Sequence, residues 1–446
     1  MKRNPFALLI TALLFFSCSK EVKIPVLIDF TAEKETASNT VPVNVIITNN
    51  TTGATSYKWS FEGGEPYIST KKHPGIIAFN LAGQHIIKLE ASNEFETQIK
   101  EYSINLDSAV TIDFNADILI NNFSPVTVHV ENLTTGATGF SWTFDGGTPA
   151  SSGLQQPGDV NFTSAGDHNI TLTVSNGGSS FTTIKTITVA PPLAADFEII
   201  PSFEDDDYQA PLTAQLHNST ISGTTWQWTS NGGVISDATA ENPSINFAGP
   251  GSYIVTLTAD NSKNTEVVTK NIIVLPNTSL RTITDVRFGI LAAHGSVGSL
   301  YATRLRTNFT AADNLDTSGA WIDLAFFGFD AGFSYNKFIS PDSVQNYGFD
   351  AIPQAQHTIL INSQETCGCG PVFTDADFDN MADVTPLLSL SIFTTPGGLS
   401  PFSNGLTNRV VLFQTADGRR GAIKIKSFVA AGANSYILTD IKVQKN

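Results

Sequence analysis

The sequence predicts an all-β protein, with three similar small two-sheet sandwiches in tandem and a larger β-domain after them. Three observations predict it. Apolar residues alternate with period two in segment after segment, Gly, Pro and Asn turns separate those segments, and one aromatic frame recurs three times at intervals of 83 to 86 residues. At 446 residues the chain is too long for a single core. Its 41% hydrophobic and 15% charged content is that of a globular chain, and its Thr, Ser, Asn and Gly favour strands and turns over helices. The 41 acidic against 25 basic residues, with no basic run interleaved with aromatics, argue against a nucleic-acid partner.

Residues 1–17 read as an export signal. Lys2 and Arg3 form a positive start, and Phe6 to Phe16 is an apolar stretch too short to span a bilayer. Ser17-Cys18 then places a small residue before the only cysteine in the first 360 residues. This resembles a bacterial lipobox, and the resemblance implies lipidation of Cys18, a mature chain starting there, and 18–26 as an anchor linker. The polar Ser19-Lys20-Glu21 that follows is similar to signals for the outer face of the outer membrane. Localisation to the cell envelope as a surface-exposed outer-membrane lipoprotein is therefore the expectation. The lipid is the only membrane attachment the sequence supports.

Three repeats follow, over 27–107, 108–191 and 192–276. Each opens with Asp-Phe (Asp29-Phe30, Asp113-Phe114, Asp196-Phe197), continues with an aromatic-x-Trp pair (Tyr57/Trp59, Phe140/Trp142, Trp226/Trp228) and then a Gly-Gly turn (Gly63-Gly64, Gly146-Gly147, Gly232-Gly233). An x-Pro turn, a Phe and a Gly precede an alternating strand, in which Ile170, Leu172 and Val174 face one way and Thr171, Thr173 and Ser175 the other. Residues 57, 59 and 61 share a strand face, as do 140, 142 and 144, so the tryptophans are expected in the sandwich cores, with an exposed sugar-stacking role as the alternative.

Trp59-Ser60-Phe61-Glu62-Gly63-Gly64, Trp142-Thr143-Phe144-Asp145-Gly146-Gly147 and the closing strand Gly251-Ser252-Tyr253-Ile254-Val255-Thr256-Leu257 resemble the polycystic kidney disease (PKD) domain. The resemblance spans about 250 residues and implies three tandem immunoglobulin-like β-sandwiches used as spacers or adhesion modules, without catalytic residues. The third copy departs from the pattern, with Ser230 and Asn231 in place of the Phe and the acid. The acidic run Glu204-Asp205-Asp206-Asp207 reads either as solvated loop charge or as a Ca²⁺-collecting loop.

Residues 277–446 leave the repeat and predict a β-sandwich or jelly-roll-like domain, from alternation at Val286, Phe288 and Ile290, at Ile322, Leu324 and Phe326, and at Ile423 and Ile425. A hairpin turn is expected around Asp417-Gly418 and a last strand over 436–443. These closing segments are similar to the C-terminal segments of uncharacterised surface lipoproteins. Asp375-x-Asp377-x-Asp379 offers alternating carboxylates for Ca²⁺, but Asn380 and Pro386 stand where such a loop needs Gly and Glu, and Thr374 with Asp377 equally spells a helix cap. Cys367 and Cys369, in an exported chain, form a disulfide or remain two thiols. Trp321, Phe333 and Tyr335 belong to an aromatic-rich stretch that either packs a core or binds a ligand. His294 and His357 fit no triad or metal pattern, and no Walker, zincin or dinucleotide motif occurs.

The functional expectation is a non-catalytic surface lipoprotein, displaying a glycan- or protein-binding C-terminal domain on a rod of modules. No cofactor other than Ca²⁺ enters this expectation. A polysaccharide-degrading enzyme or accessory subunit is the alternative, because glycosidase carboxylates come from distant strands and leave no local motif. A structural spacer is the third.

Overall fold

A computed structural model describes residues 22–370, 372–405 and 409–445. Cys18 and the export signal lie outside these residues. The chain forms two compact units. One runs to Asp196 and takes in Thr220–Thr225 and Thr258–Val267; the other comprises Phe197–Ser219, Trp226–Leu257 and the chain from Val268 onward. Among the described residues no helix is long and apolar enough to cross a membrane.

The all-β reading holds, and strands dominate throughout. In the second module one sheet has the order Gly147–Thr148, Gly158–Phe162, Val126–Asn132, Phe114–Ile118, and the other Ser151–Ser152, Gly139–Phe144, Gly166–Ser175, Ser180–Val189. The first module repeats both sheets strand for strand. The third repeats the first sheet and has a three-stranded second one.

Each repeated motif residue has a physical task. Trp59, Trp142 and Trp228 are fully buried, so the core alternative is the one the fold takes. Their indole Nε1 groups donate to the carbonyls of Lys71 (3.1 Å), Leu154 (2.9 Å) and Ala240 (2.9 Å), which satisfies the single polar atom of each ring. The Phe of the opening Asp-Phe packs edge-on against the Trp in every copy, with centroids 5.1, 5.2 and 5.0 Å apart. Lysines from the last strand, Lys100 and Lys185, pair with Asp29 and Asp113 and lie over the Phe30 and Phe114 rings. The Gly-Gly turn is required by space as well as by backbone. Gly146 has φ +72°, and a Cβ on Gly147 would stand 2.8 Å from Val160 Cγ1.

The C-terminal domain is a two-sheet sandwich. Its five-stranded sheet has the order Leu280–Gly289, Tyr436–Gln444, Arg420–Val429, Val410–Gln414, Ile359–Ile361, and its four-stranded sheet Thr307–Phe309, Leu300–Ala302, Leu324–Gly328, Asn336–Ile339. Between them lies a core that includes Phe288, Phe326, Phe338, Phe413 and Ile441. Both sheets are also covered on their outer faces. The short helices Asp375–Asn380 and Thr385–Ser389 contribute Phe378 and Leu387 over Leu412 and Ala422, and Val344, Phe349 and Ile352 cover Ala325 and Phe327. Strands buried on both faces read as continuous apolar runs, which is why Leu324–Gly328 and Val410–Phe413 do not alternate.

Candidate ligand-binding cleft

The structure separates the three aromatic candidates. Phe333 is corrected: only 1% exposed, with φ +56°, it turns into the core against the Phe428 ring at 5.2 Å and cannot face a ligand. Tyr335, 39% exposed, stands edge-on to Phe327 at 6.1 Å and does not line the cleft described below. Trp321 ends a 3-10 turn, Gly319–Trp321, and keeps 44% of its surface exposed.

The Ca²⁺ reading of Asp375, Asp377 and Asp379 is also corrected. The segment is a helix capped by a full capping box, in which Asp377 accepts from the Thr374 N–H (2.8 Å) and hydroxyl (2.7 Å), while Asp379 pairs with Lys424 at 2.6 Å. On a helix Asp377 points about opposite to Asp375 and Asp379, so the three carboxylates do not converge on one ion. Among the described residues no group of three or more His, Cys, Asp or Glu is placed to hold a metal ion. Cys367 and Cys369 are joined as a disulfide. In the acidic run Glu204 stays exposed, whereas Asp206 pairs with Arg281 and Arg306, and Asp207 with Arg281 and Lys445 (2.9 Å).

Trp321 forms one wall of a cleft of about 410 Å³ with Arg304, Asp323, Gln356, Asp417 and Arg419. Three turns position these groups. The turn after Leu300–Ala302 carries Arg304, the 3-10 turn presents Trp321, and the hairpin turn at Gly418, φ +89°, brings Asp417 and Arg419. That hairpin is the one expected around Asp417-Gly418. The Arg304 guanidinium lies 5.4 Å from the Trp321 ring centroid and donates to Asp417 at 2.7 Å, while its Nε is buried with no partner among the described residues. Arg419 is the hub. Its Nε donates to Asp417 (2.9 Å), its other nitrogens to Thr303 Oγ1 (3.0 Å) and Asp323 (3.4 Å).

The two carboxyls of the cleft are pushed apart. Burial raises Asp323 above the ordinary carboxylate range, against the pull of Thr303 and Arg419. Burial pushes Asp417 up as well, but the Thr415 hydroxyl and the Arg419 and Arg304 guanidinium groups outweigh it and hold it at about 2. Divergent carboxyls are a hallmark of acid and base pairs. Here, however, Asp323 accepts from the Thr303 N–H (2.8 Å), the Thr303 hydroxyl and Arg419, so its oxygens are committed to holding two turns together. The free elements of the cleft are an indole face, a guanidinium edge, and a carboxamide oxygen on the exposed Gln356, whose Nε2 donates to Gln354.

Sequence reasoning found Trp321 and missed Arg304, Asp323 and Arg419. One signal could have found the two arginines. No arginine occurs between Asn4 and Leu280, whereas seven occur from Arg281 to Arg420. Residues that favour bidentate, planar recognition are thus confined to one domain.

A PKD domain is present at residues 116–189, within the second module. Among solved structures the chain is similar to the FN1-FN3 domains of chicken CNTN1, at 11% identity over 56% of this chain and 97% of that one, with a TM-score of 0.22. It is also similar to an I-band fragment of titin, at 10% identity over 56% and 99% with a TM-score of 0.31. The third likeness is to immunoglobulin domains 1-5 of Sidekick-1, at 11% identity over 57% and 60% with a TM-score of 0.25. The chain matches no curated protein.

Proposed function

We propose that this chain is a non-catalytic cell-envelope lipoprotein, anchored through Cys18, in which three PKD-type modules display a C-terminal domain that captures a glycan. The PKD domain at 116–189, with its aromatic frame repeated in the flanking modules, supports a display role. The single observation carrying the ligand assignment is the Trp321 cleft. A half-exposed indole, backed on one face by a guanidinium and flanked by hydrogen-bonding groups, matches the chemistry of a sugar, which has an apolar C–H face and an equatorial rim of hydroxyls.

The test is a glycan array and a polysaccharide-degradation screen on the chain from Cys18 onward, with Trp321→Ala alongside. Binding without turnover, lost in Trp321→Ala while the melting temperature is kept, is the expected result. Turnover would favour a polysaccharide-degrading enzyme built on the divergent Asp323 and Asp417 pair, and silence in both assays would reduce the domain to a spacer. Separately, Cys18→Ala should release the protein from the membrane fraction; retention would remove the lipid anchor from the proposal.

A further inference from the structure

The Trp321 cleft does not end at Arg304 and Arg419. Both residues also line a second cleft, of about 270 Å³, on their other side. The far wall of that second cleft is supplied by the third module, through Glu204, Asp205 and Pro211.

The wall is held against the domain by several independent contacts. The Arg306 guanidinium stacks over the Phe203 ring, 3.6 Å from its centroid, donates to the Phe203 carbonyl at 2.5 Å and faces Asp206 at 3.3 Å. Arg281, with 9% of its side chain exposed, donates to Asp206 and to the Glu204 carbonyl. Gln209 accepts from the Thr278 N–H and hydroxyl, each at 2.8 Å. Arg304 and Arg306 belong to one turn, and Arg306, at φ +50°, leads directly into the strand Thr307–Phe309. The module therefore grips the same turn that aims Arg304 at Trp321.

Five cations line the second cleft beside Glu204 and Asp205, and each is paired with a further acid: Arg281 and Arg306 with Asp206, Lys445 with Asp207, and Arg304 and Arg419 with Asp417, so the charges around it largely cancel. Such a surface offers donors and acceptors without a net field, which suits hydroxyl groups better than a phosphate or a polyanion. Two neutral polar clefts in series, joined by shared side chains, suit a linear chain of repeated polar rings.

We infer that the ligand is a linear neutral oligosaccharide that runs from Trp321 across Arg304 and Arg419 into a groove completed by the third module, which makes that module part of the binding site. This rests on saccharide capture at Trp321. The experiment is calorimetric titration of the chain from Cys18 onward with di-, tetra- and hexasaccharides of β-1,4-glucan, β-1,3-glucan and xylan. Affinity for the series that binds is expected to rise about tenfold or more from disaccharide to hexasaccharide. Glu204→Trp, which fills the far cleft from an exposed position, should abolish that rise with length. Trp321→Ala should abolish binding at every length.

Affinity that does not depend on length, with Trp321→Ala still inactive, overturns the extended groove and leaves the Trp321 reading standing. The same holds if Glu204→Trp lowers all lengths equally. Full binding by Trp321→Ala, or no binding of any series by the wild type, sinks both.

Discussion

The repeated modules and the C-terminal domain solve the same packing problem in different ways. In each module the alternating strands turn apolar residues inward and leave the outer faces to water, as the pattern of Gly166–Ser175 shows, and the core is organised around one tryptophan. In the C-terminal domain both sheets are covered on both faces, and five of its seven arginines, at 281, 304, 306, 409 and 419, form ion pairs within the domain or with the third module. Strength in the modules comes from a repeated apolar unit. In the terminal domain, part of it comes from polar groups that must all be satisfied together, and those groups also shape the clefts. The lesson is that recognition chemistry sits where loops and turns are pinned by charge-assisted bonds rather than where the repeat is most regular.

The largest effect expected from this comparison is at a module core. Trp142→Ala should cost about 3 to 5 kcal/mol by cavity formation, read from urea unfolding followed by circular dichroism, whereas Trp321→Ala should cost less than about 1 kcal/mol. Equal losses at the two positions would erase the distinction between a core indole and a recognition indole. Next, Arg419→Met leaves Asp323 buried without its charged partner and should cost about 3 kcal/mol in the C-terminal transition, while the module transitions stay put. A shift of all transitions together would show that the polar web is not local.

A smaller effect tests a position that differs among the modules. Tyr253 donates to the Gly249 carbonyl at 2.8 Å, a contact made in the other copies by His85 to Leu81 (2.6 Å) and His168 to Ser164 (3.0 Å). Tyr253→Phe should cost about 1 kcal/mol, measured by the same unfolding curves. No loss would mean that ring packing on Phe247, at 4.6 Å, suffices alone.

The smallest expected effect is a pH dependence. Asp417 in the folded domain titrates at about 2, below its ordinary value of 3.8, so its contribution is fully present above 3.8 and is lost as pH falls toward about 2. Asp323 is shifted the other way and partly offsets this on acidification. The urea midpoint of the C-terminal transition should fall more steeply between pH 4 and pH 2 in wild type than in Asp417→Asn. Parallel slopes would remove Asp417 from the web.

Much of this was legible in the sequence, for identifiable reasons. The Asp-Phe, aromatic-x-Trp and Gly-Gly elements predicted three sandwiches because they are short-range demands on one strand face or one turn, and repetition separated them from chance. The capping box at Thr374 was readable because its partners are three residues apart. The Lys100 and Lys185 clamps were not legible, since they join residues about 70 positions distant across a sheet. Phe333 was ambiguous because a residue beside a glycine turn can point either way until the opposite sheet is in place.

The sequence by itself determined the local geometry: period-two strands, tight glycine turns, buried tryptophans and the confinement of arginine to one domain. Only the tertiary structure decided what the charges do. The acids at 206 and 207 meet Arg281, Arg306 and Lys445, and Asp417 meets Arg304, across separations that no local pattern encodes. Burial free energy depends on a residue's own strand face, which the chain spells out. The partner of a charge depends on which loops the finished fold brings within a few ångströms.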